Sequence, residues 1–381
     1  MPGQVSGGFG VPSDAELVRR TLAEIAPVAD RVTGYFYALL FIRNPDLRGQ
    51  FPVAMDVQRD RLVKALLKTA ELMESPDELA DHLRSLGRGH RKYGTLPEHY
   101  PAVGEALIGA LAHYAHDTWD EASEAAWTRA YGTMSTVMIE AAAENARKAP
   151  PWWQAEVVTH VMRASDIAEI TLRTDRPYGF LPGQYASVET PWWPRIWRQY
   201  SFAALPGGDG LLTFHVRAVP TGWVSNALVH RARPGSVLRL GPPEGSMVVD
   251  HRTDSGIVCL GGGTGIAPVK AIVEDVVERD VGRPVEVFYV ARSDAGLYAM
   301  DPLLRLRQRY PRLHVRAVVG DEFRVADFLR EHGPWHGYDA YVSGPVGMVR
   351  TGVEVLESLG VSPRHLMYDP LETLLPPQPA P

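Results

Sequence analysis

The spacing of apolar residues changes twice along this 381-residue chain. From Ser13 to about Lys148, apolar residues recur at intervals of three and four, which is typical of helices. From Ala155 they alternate one by one, as in strands that bury one face. After Gly256, short apolar runs alternate with helical stretches, which indicates a parallel sheet covered by helices. The sequence therefore predicts a multidomain fold: an all-α domain, an antiparallel β-barrel and an α/β Rossmann-like domain.

Proline and glycine clusters mark where these parts join. Residues 149–153, Ala-Pro-Pro-Trp-Trp, end the last predicted helix and form a stiff connector. The predicted domains are 13–149, 152–250 and 251–369, followed by a Pro-rich, unstructured tail at 370–381. The chain is too long for one core, which agrees with two or three domains.

Charge and cysteine content exclude several classes of protein. The formal net charge of −6 argues against a nucleic-acid partner. Cys259 is the single cysteine, which excludes a disulfide framework and a cysteine-ligated metal or iron–sulfur cluster. A redox centre would then need an organic cofactor or a histidine-ligated metal. No secretory leader and no run of about 18 apolar residues is visible, so we expect a cytoplasmic protein with no membrane span. We also expect a monomer.

Residues 198–201, Arg-Gln-Tyr-Ser, have the chemistry of a flavin site. Arg198 can pair with a pyrophosphate oxygen, Tyr200 can lie along an isoalloxazine ring, and Ser201 can hydrogen-bond the flavin edge. Gly-Gln-Tyr at 183–185 precedes this motif. Gly-Trp-Val-Ser-Asn at 222–226 follows it, and a glycine there would let backbone N–H groups approach a pyrophosphate. Each motif alone is also compatible with a polar strand or an ordinary turn.

A glycine-rich turn follows the first apolar strand of the α/β part. Residues 261–268, GGGTGIAP, open a predicted helix, which is the context that a dinucleotide site requires. By itself such a turn is weak evidence, because many sheets that bind nothing have one. Arg292 and Ser293 end the next strand and could meet an adenosine ribose or a 2′-phosphate. Arg292 could equally be a solvated loop arginine, so the choice between NADH and NADPH stays open.

In this order and spacing the motifs resemble the ferredoxin-reductase family, in which a flavin barrel precedes a nicotinamide-binding domain. The resemblance adds residues 343–348, SGPVGM, as a second nicotinamide motif, and Asp369 as an acidic residue near the flavin. It implies a cofactor-binding set comprising Gln184, Tyr185, Arg198, Gln199, Tyr200, Ser201, Gly222, Val224, Ser225, Gly263, Thr264, Gly265, Ile266, Ala267, Pro268, Arg292, Gly344, Pro345 and Asp369. No aromatic residue follows Asp369, whereas the family closes with one near the flavin ring, so the group that stacks there is not identified.

His90 is the candidate metal ligand in the helical part. A lone helical histidine is more often surface or core filler, and the chain offers competitors at His82, His99, His113 and His116. The setting of His90 separates it from them. The sequences at 36–41, 44–47 and 97–100, with Phe51, Gln58 and Leu62 between them, closely resemble the globin domain of bacterial flavohaemoglobins.

That resemblance implies a haem site. It makes His90 the proximal ligand, Tyr37 and Gln58 the distal polar residues, Phe51 a packing contact on the porphyrin and Leu62 the roof of the pocket. A neutral imidazole leaves iron with one open axial position, and a phenol above that position can donate to bound dioxygen.

The proximal side departs from the family. There, a tyrosine and a glutamate hydrogen-bond toward the histidine and increase its electron donation to iron. Tyr100 matches the tyrosine, but a gapless placement of the last helix puts Ala142 at the glutamate position. Glu140 and Glu144 are each two positions away, a rotation of about 200° on a helix, so neither should replace it.

The resemblance extends to about Asp369 and implies an NAD(P)H-dependent flavohaem oxidoreductase with haem b, FAD and NADH or NADPH as cofactors. Electrons would pass from NAD(P)H through FAD to haem, and O2 and NO would be converted to nitrate, the nitric oxide dioxygenase reaction. Ala142 and the altered C-terminus favour an alternative, a haem-flavin oxidoreductase that reduces O2 or oxidises another donor. A redox or gas sensor is a third possibility, although a complete reductase would be redundant in one.

Overall fold

The computed structural model describes residues 12–279, 282–320 and 322–369. The chain divides into two compact units between Pro151 and Trp152. The three domain boundaries drawn from the sequence remain predictions. The predicted tail, 370–381, lies outside the described residues.

Within the described residues, α-helices joined by short turns build the first unit. Ser13 begins the first helix with a reciprocal cap, because its Oγ accepts from the Glu16 N–H at 3.3 Å while the Glu16 carboxylate accepts from the Ser13 N–H at 2.7 Å. Leu40, Leu111 and Trp127 are almost fully buried in the core. The helices are α1 (Asp14–Ile25), α2 (Ala29–Arg43), α3 (Asp56–Leu72), α4 (Pro76–His90), α5 (His99–Tyr114) and α6 (Glu121–Ala146).

One stretch of the described chain, Asp14–Arg43, is long and apolar enough to cross a membrane by length and composition alone. A buried core helix passes the same test. Here a 3-10 turn at Ala26–Val28 divides the stretch, and Leu22 and Leu40 pack in the core of the unit. The apolar character of this stretch is thus accounted for by the interior of a helical domain.

The second unit begins with an antiparallel sheet in the order β4-β3-β6-β1-β2-β5. Its two edges meet, because Phe202 and Phe214 form a bridge and the Ala203 N–H donates to the Thr213 carbonyl at 2.8 Å. The predicted barrel is therefore confirmed. Its elements are β1 (Trp153–Ala164), β2 (Ile167–Thr174), β3 (Tyr185–Thr190), β4 (Trp193–Ser201), β5 (Leu211–Arg217), α7 (Trp223–His230) and β6 (Val237–Glu244).

A parallel sheet in the order β11-β10-β7-β8-β9 follows, with helices between its strands. The predicted Rossmann-like architecture is confirmed. The strand order runs outward in opposite directions from β7 and β10, so the crevice at their carboxyl ends is a topological switch point, where such sheets bind ligands. The elements are β7 (Gly256–Gly262), α8 (Ile266–Arg279), β8 (Val285–Ala291), α9 (Met300–Arg309), β9 (Leu313–Val319), α10 (Glu322–His332), β10 (Tyr338–Ser343), α11 (Val346–Ser358) and β11 (Leu366–Tyr368).

Candidate active site

His90 ends α4 and is held in one orientation by its own helix. Its Nδ1 lies 2.6 Å from the carbonyl oxygen of Leu86, which can only accept, so Nδ1 carries the proton and Nε2 keeps its lone pair. Burial lowers the pKa of His90 below its ordinary value, which favours the neutral ring. A neutral imidazole of fixed tautomer is the ligand that haem iron takes from a globin, so this residue fits the group.

Tyr37 lies in a cluster of aromatic rings on α2 and the segment that follows. The centroid of its ring is 5.6 Å from that of Phe51 and 5.8 Å from that of Phe41. The phenol oxygen donates to the backbone carbonyl of Gln58 on α3 at a long 3.4 Å. Leu62 packs against the same core, one helical turn after Gln58. The structure thus brings the predicted distal residues together.

Burial raises the pKa of Tyr37 to about 12, so the phenol keeps its proton at neutral pH. A protonated phenol with one long hydrogen bond can donate to a bound ligand that carries negative charge. This donor chemistry matches the distal role that the sequence predicts.

Two contacts bracket the proximal side, one between α4 and α6 and one between the residues that follow these helices. A Cβ on Gly87 would lie 2.2 Å from the Met138 carbonyl, so the helices touch there. Just beyond the C-terminal ends of both helices, the Arg91 guanidinium donates to the Ala149 carbonyl at 2.9 Å. His90 falls between these contacts on α4, and Ala142 falls between them on α6.

The two glutamates near Ala142 point elsewhere. Glu144 pairs with Lys148, and that pair holds the pKa of Glu144 below its ordinary value. Glu140 is exposed. Tyr100 is buried on α5, and burial raises the pKa of its phenol.

Gln184 and Tyr185 enter β3 beside the predicted flavin motif. The Gln184 side chain accepts from the Leu181 N–H at 2.9 Å and donates to the Gly245 carbonyl at 3.1 Å, so it fixes the local backbone. Tyr185 lies opposite Ser201 in the ladder. Burial raises the pKa of Tyr185 to about 12.

The four-residue motif on β4 is divided between the surface and the interior of the barrel. Arg198 is exposed, and its Nη1 donates to the Trp197 carbonyl at 2.9 Å. Gln199 is also exposed, whereas Ser201 is half-buried. Tyr200 lines a narrow apolar cavity with Leu172 and Phe214, and burial raises the pKa of its phenol.

The Gly222 turn has the tight geometry that a phosphate site requires. A Cβ on Gly222 would lie 2.4 Å from the Ser225 Oγ, so only glycine fits there. Thr221 before it has a positive φ of 60°. Val224 and Ser225 fall in the first turn of α7, whose leading N–H groups have no partner within the helix. Such an N-terminus is suited to anionic groups.

The two predicted nicotinamide loops pack against each other at the carboxyl edge of the parallel sheet. A Cβ on Gly265 would lie 2.3 Å from the Ser343 carbonyl, and one on Gly344 would lie 3.0 Å from Gly262. Pro345 contacts the same loop. This backbone cradle at the switch point fits a dinucleotide. The cradle includes Gly263, Thr264 and Gly265 in a 3-10 turn and Ile266, Ala267 and Pro268 at the start of α8.

Asp369 joins this edge after β11. Its carboxylate accepts from the Ser343 hydroxyl, and burial raises the pKa of Asp369. The negative charge of Asp369 also contributes to raising the pKa of Tyr185, which places the barrel and the parallel sheet close together here. Arg292, by contrast, is exposed on the loop after β8, and the structure leaves both of its predicted interpretations open.

A polar cluster that no local sequence motif indicates lies between the barrel and the parallel sheet. The buried His215 ring places Nδ1 3.0 Å from the Tyr298 hydroxyl and Nε2 3.4 Å from Glu169. These residues line a cavity of about 160 Å³ together with Lys270. His215 and Glu169 face each other in register on β5 and β2, which strand pairing alone would have revealed.

Three protein families match successive parts of the chain. The Globin model matches residues 34–138. The oxidoreductase FAD-binding domain matches residues 154–249, and the oxidoreductase NAD-binding domain matches residues 259–353.

Similar proteins show the same combination. A flavohemoprotein of Bordetella pertussis is 27% identical over 392 residues, covering 93% of this chain and 96% of the relative. The reductase component of a naphthalene 1,2-dioxygenase system from Pseudomonas putida is 31% identical over 235 residues, covering 56% of this chain and 71% of the relative. The crystal structure of a Malassezia yamatoensis flavohemoglobin with bound FAD and heme has the same fold, with a TM-score of 0.76 and 19% identity over 93% of this chain and 98% of the other.

The fold, the donor groups and these matches define an NAD(P)H-dependent flavohaem oxidoreductase. Its cofactors are haem b, FAD and NAD(P)H, and electrons pass from NAD(P)H through FAD to the haem. Within this class the chain belongs to the flavohaemoglobin family.

Proposed function

We propose that this flavohaemoglobin is a nitric oxide dioxygenase that works as a cytoplasmic monomer and converts NO and O2 to nitrate with electrons from NAD(P)H. The observation that carries the proposal is the protonated Tyr37 phenol. It is buried among aromatic rings, its pKa is raised to about 12, and its hydrogen bond to the Gln58 carbonyl is long. The match to flavohemoproteins over nearly the whole chain supports it.

The globin residues supply an iron ligand, a hydrogen-bond donor and an apolar wall for the haem site. When bound, haem supplies the redox-active iron at which O2 and NO react. His90 offers Nε2 to that iron, while Leu86 holds the ring orientation. The Tyr37 phenol would donate a hydrogen bond to a bound ligand, and the backbone carbonyl of Gln58 keeps the phenol oriented. Phe51 contributes the apolar wall that excludes water from the distal side.

The reductase residues bind and orient the other two cofactors. When bound, FAD supplies a hydride acceptor that releases electrons one at a time. Arg198 and the start of α7 would hold its pyrophosphate, and Tyr185 and Ser201, which face each other on β3 and β4, would contact its ring. The glycine cradle of Gly265 and Gly344 positions NAD(P)H at the carboxyl edge of the parallel sheet.

A second candidate function is supported by the proximal side. Ala142, which cannot hydrogen-bond, lies between the two contacts that bracket His90, and Glu144 is paired with Lys148. Without a carboxylate to strengthen electron donation from His90, the enzyme could reduce O2 or oxidise another donor without efficient NO dioxygenation.

Stopped-flow mixing separates the two candidates. The holoenzyme is reduced with NADH, exposed to O2 and mixed with NO, and nitrate is then quantified. Nitric oxide dioxygenation predicts one nitrate for each NO consumed and a large loss of rate in Tyr37→Phe. The variant Ala142→Glu is the matched test of the proximal side. Consumption of O2 without stoichiometric nitrate would exclude the dioxygenase and favour the second candidate.

A further inference from the structure

Two tryptophan side chains form an outward-facing pair beside the proposed pyrophosphate site. Trp193 begins β4 and Trp223 begins α7. Their ring centroids are 4.8 Å apart and their planes differ by 25°, so the indoles are stacked. The Trp223 side chain nevertheless remains 42% exposed. We call these two residues the indole pair.

The register of β3 and β4 brings Trp193 close to Arg198. Arg198 lies opposite Val188 and Trp193 lies opposite Thr190, so two positions on β3 separate them, about 7 Å along the strand. A regular strand would separate Trp193 from Arg198 by roughly 17 Å. The difference is taken up by a bulge in β4, where Arg195 has a positive φ of 68°.

The other member of the pair is fixed by the Gly222 turn. The Ser225 hydroxyl donates to the Gly222 carbonyl at 3.1 Å. The Asn226 side chain donates to the carbonyls of Gly222 and Val219, each at 2.8 Å. These bonds hold Trp223 at the first position of α7, directly beside the helix N-terminus that suits an anion.

We propose that the indole pair is the platform on which the adenine ring of FAD stacks. This deepens the proposed flavin site, since it rests on the pyrophosphate lying between Arg198 and the Gly222 turn. A dinucleotide bound there carries its adenine only one ribose beyond the pyrophosphate. An exposed aromatic face next to a phosphate site is the surface on which a base stacks.

The platform gives the barrel a means of selecting its flavin. FMN shares the isoalloxazine ring, the ribityl chain and one phosphate with FAD, but it has no adenine. Contacts at Arg198 and the flavin ring are therefore common to both, whereas the indole pair contacts FAD alone. The indole pair thus selects FAD over FMN.

A second copy of the chain is a poorer occupant of this surface. Stable interfaces bury about 800 Å² on each partner. A tryptophan contributes about 250 Å² at most, and Trp193 already covers part of Trp223. The pair suits one planar ring better than a protein face.

The test is flavin binding to the full-length chain with haem retained and flavin removed. FAD and FMN are titrated separately, and binding is followed by the quenching of flavin fluorescence. Trp223→Ala should weaken FAD binding about tenfold, the order expected for one lost stacking contact, and leave FMN binding unchanged. Trp223→Tyr should keep most of the FAD affinity. Trp152→Ala is the matched control, because that indole lies under the Arg239 guanidinium at 4.4 Å instead.

Several outcomes would overturn the proposal. FAD affinity that is unchanged in Trp223→Ala, or FAD and FMN affinities that fall equally, would show that no adenine stacks there. Dimerisation of the wild type that disappears in Trp223→Ala without a change in FAD affinity would make the pair a self-association surface. Thermal unfolding of each flavin-free variant checks that the fold is intact.

Arg198→Ala distinguishes failure of the platform from failure of the flavin site. It should weaken FMN and FAD together, because both place a phosphate near the guanidinium. If it changes neither affinity, the flavin placement itself is wrong, and the adenine platform that depends on it is wrong as well. If it weakens both while Trp223→Ala changes neither, the flavin placement stands and the adenine platform is wrong.

Discussion

At the scale of the residue, the chemistry depends on side chains whose protonation is set by their surroundings. His90 donates through Nδ1 to Leu86 and is kept neutral by burial, whereas Tyr37 is kept protonated by burial. Both effects follow from the cost of placing a charge in an apolar interior. The sequence identified the residue types, but their protonation required knowledge of what surrounds them.

Replacing His90 with alanine should abolish haem retention while flavin reduction by NADH continues. The flavin and nicotinamide residues lie in the second unit, so their chemistry does not depend on this imidazole. The measurement is the Soret absorbance of the purified variant together with anaerobic bleaching of its flavin band.

His116→Ala is the control for this variant, because His116 is exposed at the end of α5 and should not hold haem. Haem kept by His90→Ala and lost by a variant of another histidine would contradict the assignment of the ligand.

At the scale of the element, close approach of the backbone at the sheet edge defines the nicotinamide site. Gly265→Ala would place a Cβ 2.3 Å from the Ser343 carbonyl and would force the two loops apart. We expect NADH binding to weaken at least about tenfold, since loss of backbone contacts to the dinucleotide costs more than about 1.4 kcal/mol. The measurement is the NADH concentration dependence of flavin reduction.

Gly208→Ala serves as its control, because a Cβ there meets nothing within 4 Å. Equal NADH affinity in the wild type and Gly265→Ala would show that this glycine loop does not hold the cofactor. Haem and flavin contents should be unchanged in both variants.

Glu169 on β2 contacts His215 on β5, and His215 in turn contacts Tyr298. This link should make the stability of the second unit sensitive to acid. Hydrogen bonds from His215 and then Arg163 lower the pKa of Glu169 to about 2. Because the folded pKa lies below the ordinary value of about 4.3, the link stabilises the folded chain above that value and is lost as the pH falls toward 2. Glu169 is partly exposed, so the contribution is about 1 kcal/mol after solvent screening.

Thermal unfolding at pH 5 and at pH 3 measures this effect. The variant Glu169→Gln should be less stable than the wild type at pH 5 and should lose less stability on acidification. Glu278→Gln, from an exposed pair with Arg309, is the control. A loss of stability on acidification that is the same in Glu169→Gln and the wild type would contradict the proposed link.

At the scale of the whole molecule, the changes in apolar spacing were sufficient to predict the sequence of folds. The helical, barrel and parallel-sheet parts are confirmed. Hydrophobic periodicity is a property of each element, so it can be recognised in the sequence without knowledge of the tertiary structure.

The features that the sequence did not predict depend on pairing between distant segments. The helix α7 was predicted only as a phosphate turn, and the bulge around Arg195 concealed the start of β4 at Trp193. The contact of His215 with Tyr298 and the stacking of Trp193 on Trp223 join residues that no local pattern relates. Strand register is set by the whole barrel, which is why these contacts appear only in the structure.

Electrons from NAD(P)H should reach an iron held by His90 after passing through FAD. The most direct test of this electron route is the optical spectrum of the holoenzyme before and after anaerobic addition of NADH. The flavin bands should bleach, and the Soret band should then shift to that of ferrous haem. A flavin that bleaches while the haem stays ferric, or purified protein with no Soret band after expression with ample haem precursor, would contradict it.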